Sequence, residues 1–538
     1  MDAIIGMPFT GRYITNNIPS LRDGLNDAME SSEIRDTEMA DCENFTVDDV
    51  AMITAPGYVA GDDNPQPGPY YAIYHFRKDD GTSVLIRQRQ NKLEYSEDQN
   101  TFFTTGWTEC TLPTEGSPAA TVELQEITPT FATLNNTVIF TNGKNTVMSS
   151  TDGKTWSLEP SVPKAYYVIS NGLNRLVYAR TDDDPSIIHW SDINQPTTIG
   201  ADSWQFINPN DGQKIWGMGM APNGALILFK TLSFYSIDDV TLDTVGVNFI
   251  GNFKLASHHT IQTTEDSIVC GGLDGIYEWK GGAMRLISGR LKQGGRNLTL
   301  NSQSFRAGYY KLEYHLSVPD TDSGTTNVQE YVVYKARYRN DPLQPYVITR
   351  NKRNIGCYCH VDDFSVLGRP GGLYIGDSTG ATGSPASGGT LFGWINSYRQ
   401  KTYPQGLAGD PQPAYFTTKY FTENVAFYMK RAVKAFIHLK VEDNTSIEFS
   451  YRFQPYGAWV SLDETVEVGG IDWEFSDGST GEFEEGYGFY ELASATAFFD
   501  LEKGQEPRGI QFKVASNQVN DVQILSMAYK TLIKPIMR

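Results

Sequence analysis

Arg175-Leu-Val-Tyr-Ala-Arg180 running to Ile187-Ile-His-Trp190, Gly224-Ala-Leu-Ile-Leu-Phe229 running to Leu232-Ser-Phe-Tyr-Ser-Ile237, and Ser267-Ile-Val-Cys270 running to Asp274-Gly-Ile-Tyr-Glu-Trp279 are three copies of one phrase. Each is an aliphatic strand, a tight turn rich in Gly or Asp, and a second strand with an aromatic near its end. A hairpin of this size cannot bury both faces alone, and repetition lets each sheet pack against its neighbours, as in a propeller. Similar hairpins lie outside the three copies. Ser83-Val-Leu-Ile-Arg-Gln88 faces Lys92-Leu-Glu-Tyr95, and Thr137-Val-Ile-Phe-Thr141 turns at Asn142-Gly143 into Thr146-Val-Met-Ser149. Asn-Gly between two apolar runs is the strongest short-range hairpin signal. Spacing from residue 45 to about 400 predicts roughly six to eight blades of about 40–50 residues each.

The chain has 538 residues, more than one hydrophobic core usually serves. Its 30 Tyr, 27 Phe and 9 Trp favour half-buried pleated surfaces. The reading is all-β, in three parts. Residues 1–44, poor in aliphatics, are expected as an N-terminal docking arm, 45–405 as the β-propeller, and 406–538 as a β-sandwich. The Pro- and Gly-rich stretch 404–413 marks the second boundary. Beyond it alternation is strict: Ala435, Ile437, Leu439 and Val441 share one face, and Ile447, Phe449, Tyr451 and Phe453 another. Ile510, Phe512 and Val514 add a strand, and the last strand near Ile524–Leu532 is expected to close the sandwich. The segment Asp377–Gly389 has few side chains that could anchor it and is expected as a loop.

With 44 basic and 64 acidic residues the net charge is −20. Such a surface repels polyanions, which argues against a sequence-independent nucleic-acid grip. Five cysteines scattered over the chain do not form a disulfide framework, and neither a secretory leader nor a bilayer-length apolar run is apparent. The expectation is synthesis in a cytoplasm.

Ser149-Ser-Thr-Asp-Gly-Lys-Thr-Trp156 is close to the Asp-box hairpin of sialidase-like propellers, with one residue missing between Asp152 and Gly153. Its expected role is structural, Asp capping the turn and Trp packing between blades. Cys357-Tyr-Cys359-His360 offers zinc-type ligands, but in a strand His360 points away from the two thiols, so buried small hydrophobes are expected. Asp182–Asp184 and Asp320–Asp322 are read as solvated turns rather than calcium loops. His258 and His259 are read as strand residues rather than a catalytic pair. Neither a nucleophile motif nor a phosphate-binding Gly loop is found. The expectation is a protein that is not an enzyme and takes no cofactor or metal.

Asn17-Ile-Pro-Ser-Leu-Arg-Asp-Gly-Leu-Asn26, Ser32-Glu-Ile-Arg-Asp-Thr-Glu-Met-Ala-Asp-Cys-Glu-Asn44 and Ala55-Pro-Gly-Tyr58 open the chain. Ile188-His-Trp-Ser-Asp192, Trp204-Gln-Phe-Ile207 and Gly272-Leu-Asp-Gly-Ile-Tyr-Glu-Trp279 follow in the middle. In this order the segments resemble the β-propeller hub or nozzle proteins of bacteriophage tails, including the packaged-DNA stabilisation proteins of short-tailed phages. The resemblance implies a virion tail protein forming a homo-oligomeric, hexameric ring below the portal and adaptor. Such a ring retains the genome and conducts DNA during ejection without binding it specifically, with fibre or needle proteins as further partners. No catalytic residue carries over. The expected partner contacts are Phe9, Arg12, Tyr13 and Arg22. The alternative is a virion-associated glycan-binding or host-attachment protein, with Tyr456, Trp459 and Trp473 as stacking platforms, or a sialidase-like glycan hydrolase.

Overall fold

The computed structural model describes residues 12–18, 21, 23–47, 52–55, 59–60, 68–97, 107–116, 120–181, 184–237, 245–291, 304–310, 312–319, 327, 329–335, 346–353, 355–361, 372–377, 392–395, 414–421, 428–441, 447–454, 456–462, 493–500, 509–516 and 522–535. Among them are seven four-stranded antiparallel sheets, the blades of a propeller. The three repeated phrases are the second and third strands of blades 3, 4 and 5: Leu176–Thr181 with Ile187–Trp190, Leu226–Lys230 with Ser233–Ile237, and Ile268–Gly271 with Ile276–Trp279. Their burial patterns explain the legibility. Leu226–Lys230 is buried at every position because both faces of a blade pack against its neighbours.

Ring closure joins distant parts of the chain. The inner strand of blade 7, Ile355–Val361, packs against that of blade 1, Tyr70–Arg77. The outer strand of blade 7 is Val59–Ala60, from the stretch before blade 1, pairing with Phe392–Ile395. One sheet thus holds both ends of the propeller chain.

Two further sheets form the second unit. One contains Phe45–Val47, Met52–Thr54, Val522–Pro535, Tyr428–Val441 and Ala493–Asp500, with Arg12–Ile18 also on Val522–Pro535. The other contains Met39–Glu43, Ala414–Thr418, Gln511–Ser516, Glu448–Arg452 and Val460–Leu462. The alternation read from the sequence holds: Ala435, Ile437, Leu439, Phe449, Tyr451, Phe512 and Val514 are buried.

The expected division at residue 44 changes here. Arg12–Ile18, Met39–Glu43, Phe45–Val47 and Met52–Thr54 are strands of the sandwich, not an arm outside it, with Arg12 opposite Ile533 and Cys42 opposite Phe416. These strands are short and carry little periodicity of their own, and the long C-terminal strands supply their hydrogen-bond partners. Cys42, Phe45 and Met52 complete the apolar core, Phe45 meeting the Phe416 ring edge-on at 5.3 Å.

That core continues into the propeller. Leu25, Met39 and Phe45 belong to the same buried cluster as Tyr314, Leu316, Val333 and Ile348 of blade 6. The backbone repeats the link: Leu25 donates to the Ile348 carbonyl at 2.8 Å and Asn44 to that of Arg350 at 2.9 Å. Arg350 reaches Asp41 at 2.7 Å, and Arg290 Nη1 donates to the Asp23 carbonyl at 2.8 Å. The N-terminal segment therefore fastens sandwich to propeller through apolar packing, backbone bonds and ion pairs at once.

Candidate functional site

The inner strands of all seven blades converge on an axial cavity of about 270 Å³. Tyr71, Phe131, Arg306 and Tyr358 line it from blades 1, 2, 6 and 7, and His258 and His259 from the approach to blade 5. The histidines lie on a 3-10 turn, His258–Thr260, capped by Ser257, and not on the expected strand. The short inner strand Gln262–Thr263 follows the turn directly.

His258 Nδ1 accepts the Met218 backbone N–H at 3.3 Å, which places the proton of the neutral ring on Nε2. Tyr167 lies 4.3 Å from its ring centre. Burial pushes His258 down to about 3, and burial together with the Arg306 charge pushes His259 well below the usual histidine range. Both rings are neutral near pH 7 and poor proton acceptors. Arg306 donates to Thr128 Oγ1 and to the Phe305 carbonyl. The lining thus ties blades together at the axis, in a space far too narrow for a nucleic-acid duplex.

The Asp-box-like turn behaves as expected. Asp152 Oδ1 accepts the backbone N–H groups of Lys154 and Thr155, both at 2.8 Å, and the Ser150 hydroxyl at 2.9 Å. Burial pushes its carboxyl up, but these donors outweigh that and hold it below the usual range. Gly153 takes φ +75°, and Trp156 is buried among Phe131 and Phe140. Asp152→Ala is expected to cost about 1–2 kcal/mol, the size of a lost cap. A denaturant midpoint equal to that of the parent chain would contradict this role.

Cys357 and Cys359 are buried on one side of their strand, with His360 exposed on the other. Burial pushes the Cys359 thiol up to about 12. Among the described residues, no group of three His, Cys, Asp or Glu side chains is arranged to hold a metal. Asp184 Oδ1 accepts the Ser186 N–H at 2.6 Å, an ordinary turn, whereas Asp182, Asp183 and Asp320–Asp322 lie outside the described residues.

Of the expected partner contacts, Phe9 and Arg22 lie outside the described residues. Arg12 and Tyr13 are backbone-paired to Ile533 and Leu532 in the sandwich. Of the three aromatics, Trp473 is outside the described residues. Tyr456 is 83% exposed and donates to Glu30, while Trp459 lies under the Arg452 guanidinium, 4.4 Å from its ring centre.

Neither a protein-family model nor a curated protein matches the chain. Solved structures do. YCF48 bound to D1 peptide is 10% identical, the match covering 64% of this chain and 97% of that one, with a TM-score of 0.37. The Neurospora crassa Pan2 WD40 domain is 12% identical, with 58% and 87% covered and a TM-score of 0.34. An exo-beta-1,3-galactanase from Phanerochaete chrysosporium is 10% identical, with 79% and 99% covered and a TM-score of 0.25. At such scores the likenesses carry no argument about function. The propeller itself rests on the seven sheets and their closure.

Two polar clusters between blades escaped the sequence reading. Lys230, fully buried, donates to the Ile207 carbonyl at 2.8 Å, the Asn208 carbonyl at 3.0 Å and Asp211 Oδ1 at 2.7 Å. Glu330, also fully buried, binds His315 Nδ1 at 2.9 Å, Asn351 at 2.9 Å, Arg353 at 3.0 Å and Tyr358 at 3.0 Å. The available signal was a charged residue inside an apolar strand, as in Leu226-Ile-Leu-Phe-Lys230 and Gln329-Glu-Tyr-Val-Val333.

Proposed function

We propose that the chain is a structural virion protein, copies of which form a hexameric ring on a bacteriophage tail axis below the portal and adaptor. As hub or nozzle the ring retains the packaged genome and conducts DNA outward. The observation that carries the reading is the union of propeller and sandwich through residues 23–47, which makes a two-part body suited to bearing load rather than a hinged one. With only a small cavity at the propeller axis, the passage in this reading runs between copies and not through any one of them. A net charge of −20 lets a polyanion slide past without sticking. Fibre or needle proteins are the partners expected at the distal side, and the chemistry asked of the chain is contact, with no catalytic step.

Exposure of Tyr456 favours one second reading, glycan attachment, because sugars stack on accessible aromatic faces. The two readings part on the fate of DNA. Particles assembled without the chain are expected to package DNA and then lose it, measured as nuclease-sensitive genome after filling. Particles that keep their DNA but no longer adsorb to cells would overturn the ring reading in favour of attachment.

A further inference from the structure

Several cations of the propeller are paired with carboxylates: Lys92 with Glu109, Lys230 with Asp211, and Lys280 and Lys335 with Asp266. One row of three departs from this. Lys144 lies on the turn after Thr137–Thr141 of blade 2, Arg180 near the end of Leu176–Thr181 in blade 3, and Lys214 just before Ile215–Met220 of blade 4. Among the described residues none of the three forms an ion pair. Glu123 and Glu115 reach the Lys144 turn, but their carboxylates accept from Asn91 and Thr146.

Aromatic rings hold the row together. Lys144 Nζ is 5.8 Å from the centre of the Tyr166 ring, and the Arg180 guanidinium is 4.1 Å from it. The guanidinium is also 5.2 Å from the Trp216 ring, with Lys214 Nζ at 4.8 Å. Each ring serves two cations, and neighbouring charges sit within about 10 Å of one another, one Debye length at 0.1 M salt. The surroundings are built to fit. Gly143, at φ +72°, lies so close that an added Cβ would stand 2.4 Å from the Tyr166 ring. Trp216 Nε1 donates to the Ala256 carbonyl at 3.1 Å, and Arg180 Nη1 to the Tyr167 hydroxyl at 3.1 Å. The blade 3 ladder pairs Ala165 with Thr181 and Tyr167 with Ala179 but skips Tyr166 and Arg180. Arg180 takes φ +56°, a left-handed conformation held elsewhere among the described non-glycine residues by asparagines, Gln90 and Leu312. A strained backbone thus brings a charge between two rings. Burial and the Arg180 charge both push the Lys214 ammonium down, as unrelieved repulsion does.

Like charges fixed this close, with no carboxylate among them, suit an anion from outside the chain. Rings already covered by cations leave little face for stacking bases or sugars. A row spread over three blades fits an extended polyanion better than one small ion. We propose that the Lys144–Arg180–Lys214 row binds the phosphate backbone of duplex DNA. The inference rests on the ring reading, which brings DNA to the surface of the chain. A net charge of −20 repels the duplex at long range, while the row holds phosphates at contact. The hold is weak and salt-sensitive, enough to retain a genome end across several copies and loose enough to release it on ejection.

The test measures binding of a short labelled DNA duplex to the full-length chain by fluorescence anisotropy, from low to physiological salt. The expected dissociation constant is about 10⁻⁴–10⁻⁶ M, with log K falling against log salt at a slope of about −3, one phosphate per cation. Lys144→Gln and Lys214→Gln are each expected to reduce the slope by about 1 and to weaken binding about threefold or more at low salt. Lys92→Gln removes the same charge from an ion pair and is expected to leave the slope unchanged. No binding, or equal losses from Lys92→Gln and Lys144→Gln, would overturn the inference. So would binding of an acidic oligosaccharide that duplex DNA does not displace. A chain that forms the ring in particles yet does not bind the duplex would overturn it while leaving the ring reading intact. DNA binding that Lys144→Gln and Lys214→Gln weaken, in a chain that never forms a ring, would sink the ring reading and keep the row as a phosphate site.

Discussion

Lys230→Met is expected to lower stability by about 3–5 kcal/mol, the cost of removing one partner from a buried charge pair. The ammonium sits where three oxygens converge, from the Ile207 and Asn208 carbonyls and from Asp211, and it does the work a bound cation does in other loops. Methionine keeps the length of the side chain and most of its apolar contacts, so the loss is electrostatic. It leaves the Asp211 carboxylate and two carbonyls facing an apolar group. Asp211→Asn in the same background is expected to restore about 1–3 kcal/mol, because the two changes share one interaction. Denaturant midpoints of the two single variants and the double variant check this. Strictly additive losses would show that lysine and aspartate are not coupled.

The second large effect is expected at Glu330. Burial alone would push its carboxyl up, but the charges of Arg353 and His315 outweigh burial and bring it down to about 2. Burial would likewise push His315 down, and the Glu330 charge, helped by Glu313, reverses this and raises the imidazole to about 9. The signs fix the pH window. His315, raised on folding, contributes stability that is full below about 6.5 and lost as pH climbs through about 9. Glu330, lowered on folding, contributes above about 4.5 and loses its contribution as pH falls toward about 2. The unfolding temperature should therefore decline between pH 6.5 and 9.5. Glu330→Gln should cost about 3–5 kcal/mol near pH 7 and flatten that decline. A variant with the parent's alkaline slope would remove His315 from the account.

These two clusters also show where reading a sequence stops. Leu226-Ile-Leu-Phe and Ile268-Val-Cys announced strands because the physics of a doubly packed blade is local: apolar at every position, a turn, apolar again. Lys230 stands at the end of such a run, and nothing in the run says that the loop at 207–211 of the preceding blade comes back to meet it. The sandwich divides in the same way. Ala435, Ile437 and Leu439 alternate plainly in a fourteen-residue strand. Arg12–Ile18 and Met39–Glu43 do not, because their place is set by partners hundreds of residues away, Arg12 by Ile533 and Cys42 by Phe416. The blade-closing pair Val59–Ala60 is too short to carry a pattern at all. His258 and His259 resembled strand residues in a β-rich stretch, and the 3-10 turn that holds them is set by the Ser257 cap, whose hydroxyl accepts the His259 N–H.

The N-terminal pairing decides which truncation is informative. Removing residues 1–43 would take two strands from the sandwich sheets and the Leu25 bond to blade 6 with them, so loss of assembly would report unfolding. Removing only 1–11 leaves every described strand in place.

The most direct measurement is electron microscopy of the particle that carries the protein, with the density around the tail axis averaged and the propeller and sandwich docked as one body. The account predicts a closed ring of copies below the portal and adaptor, with the DNA path between copies. Copies found singly at fibre tips, or a duplex threading the axis of one propeller, would contradict it.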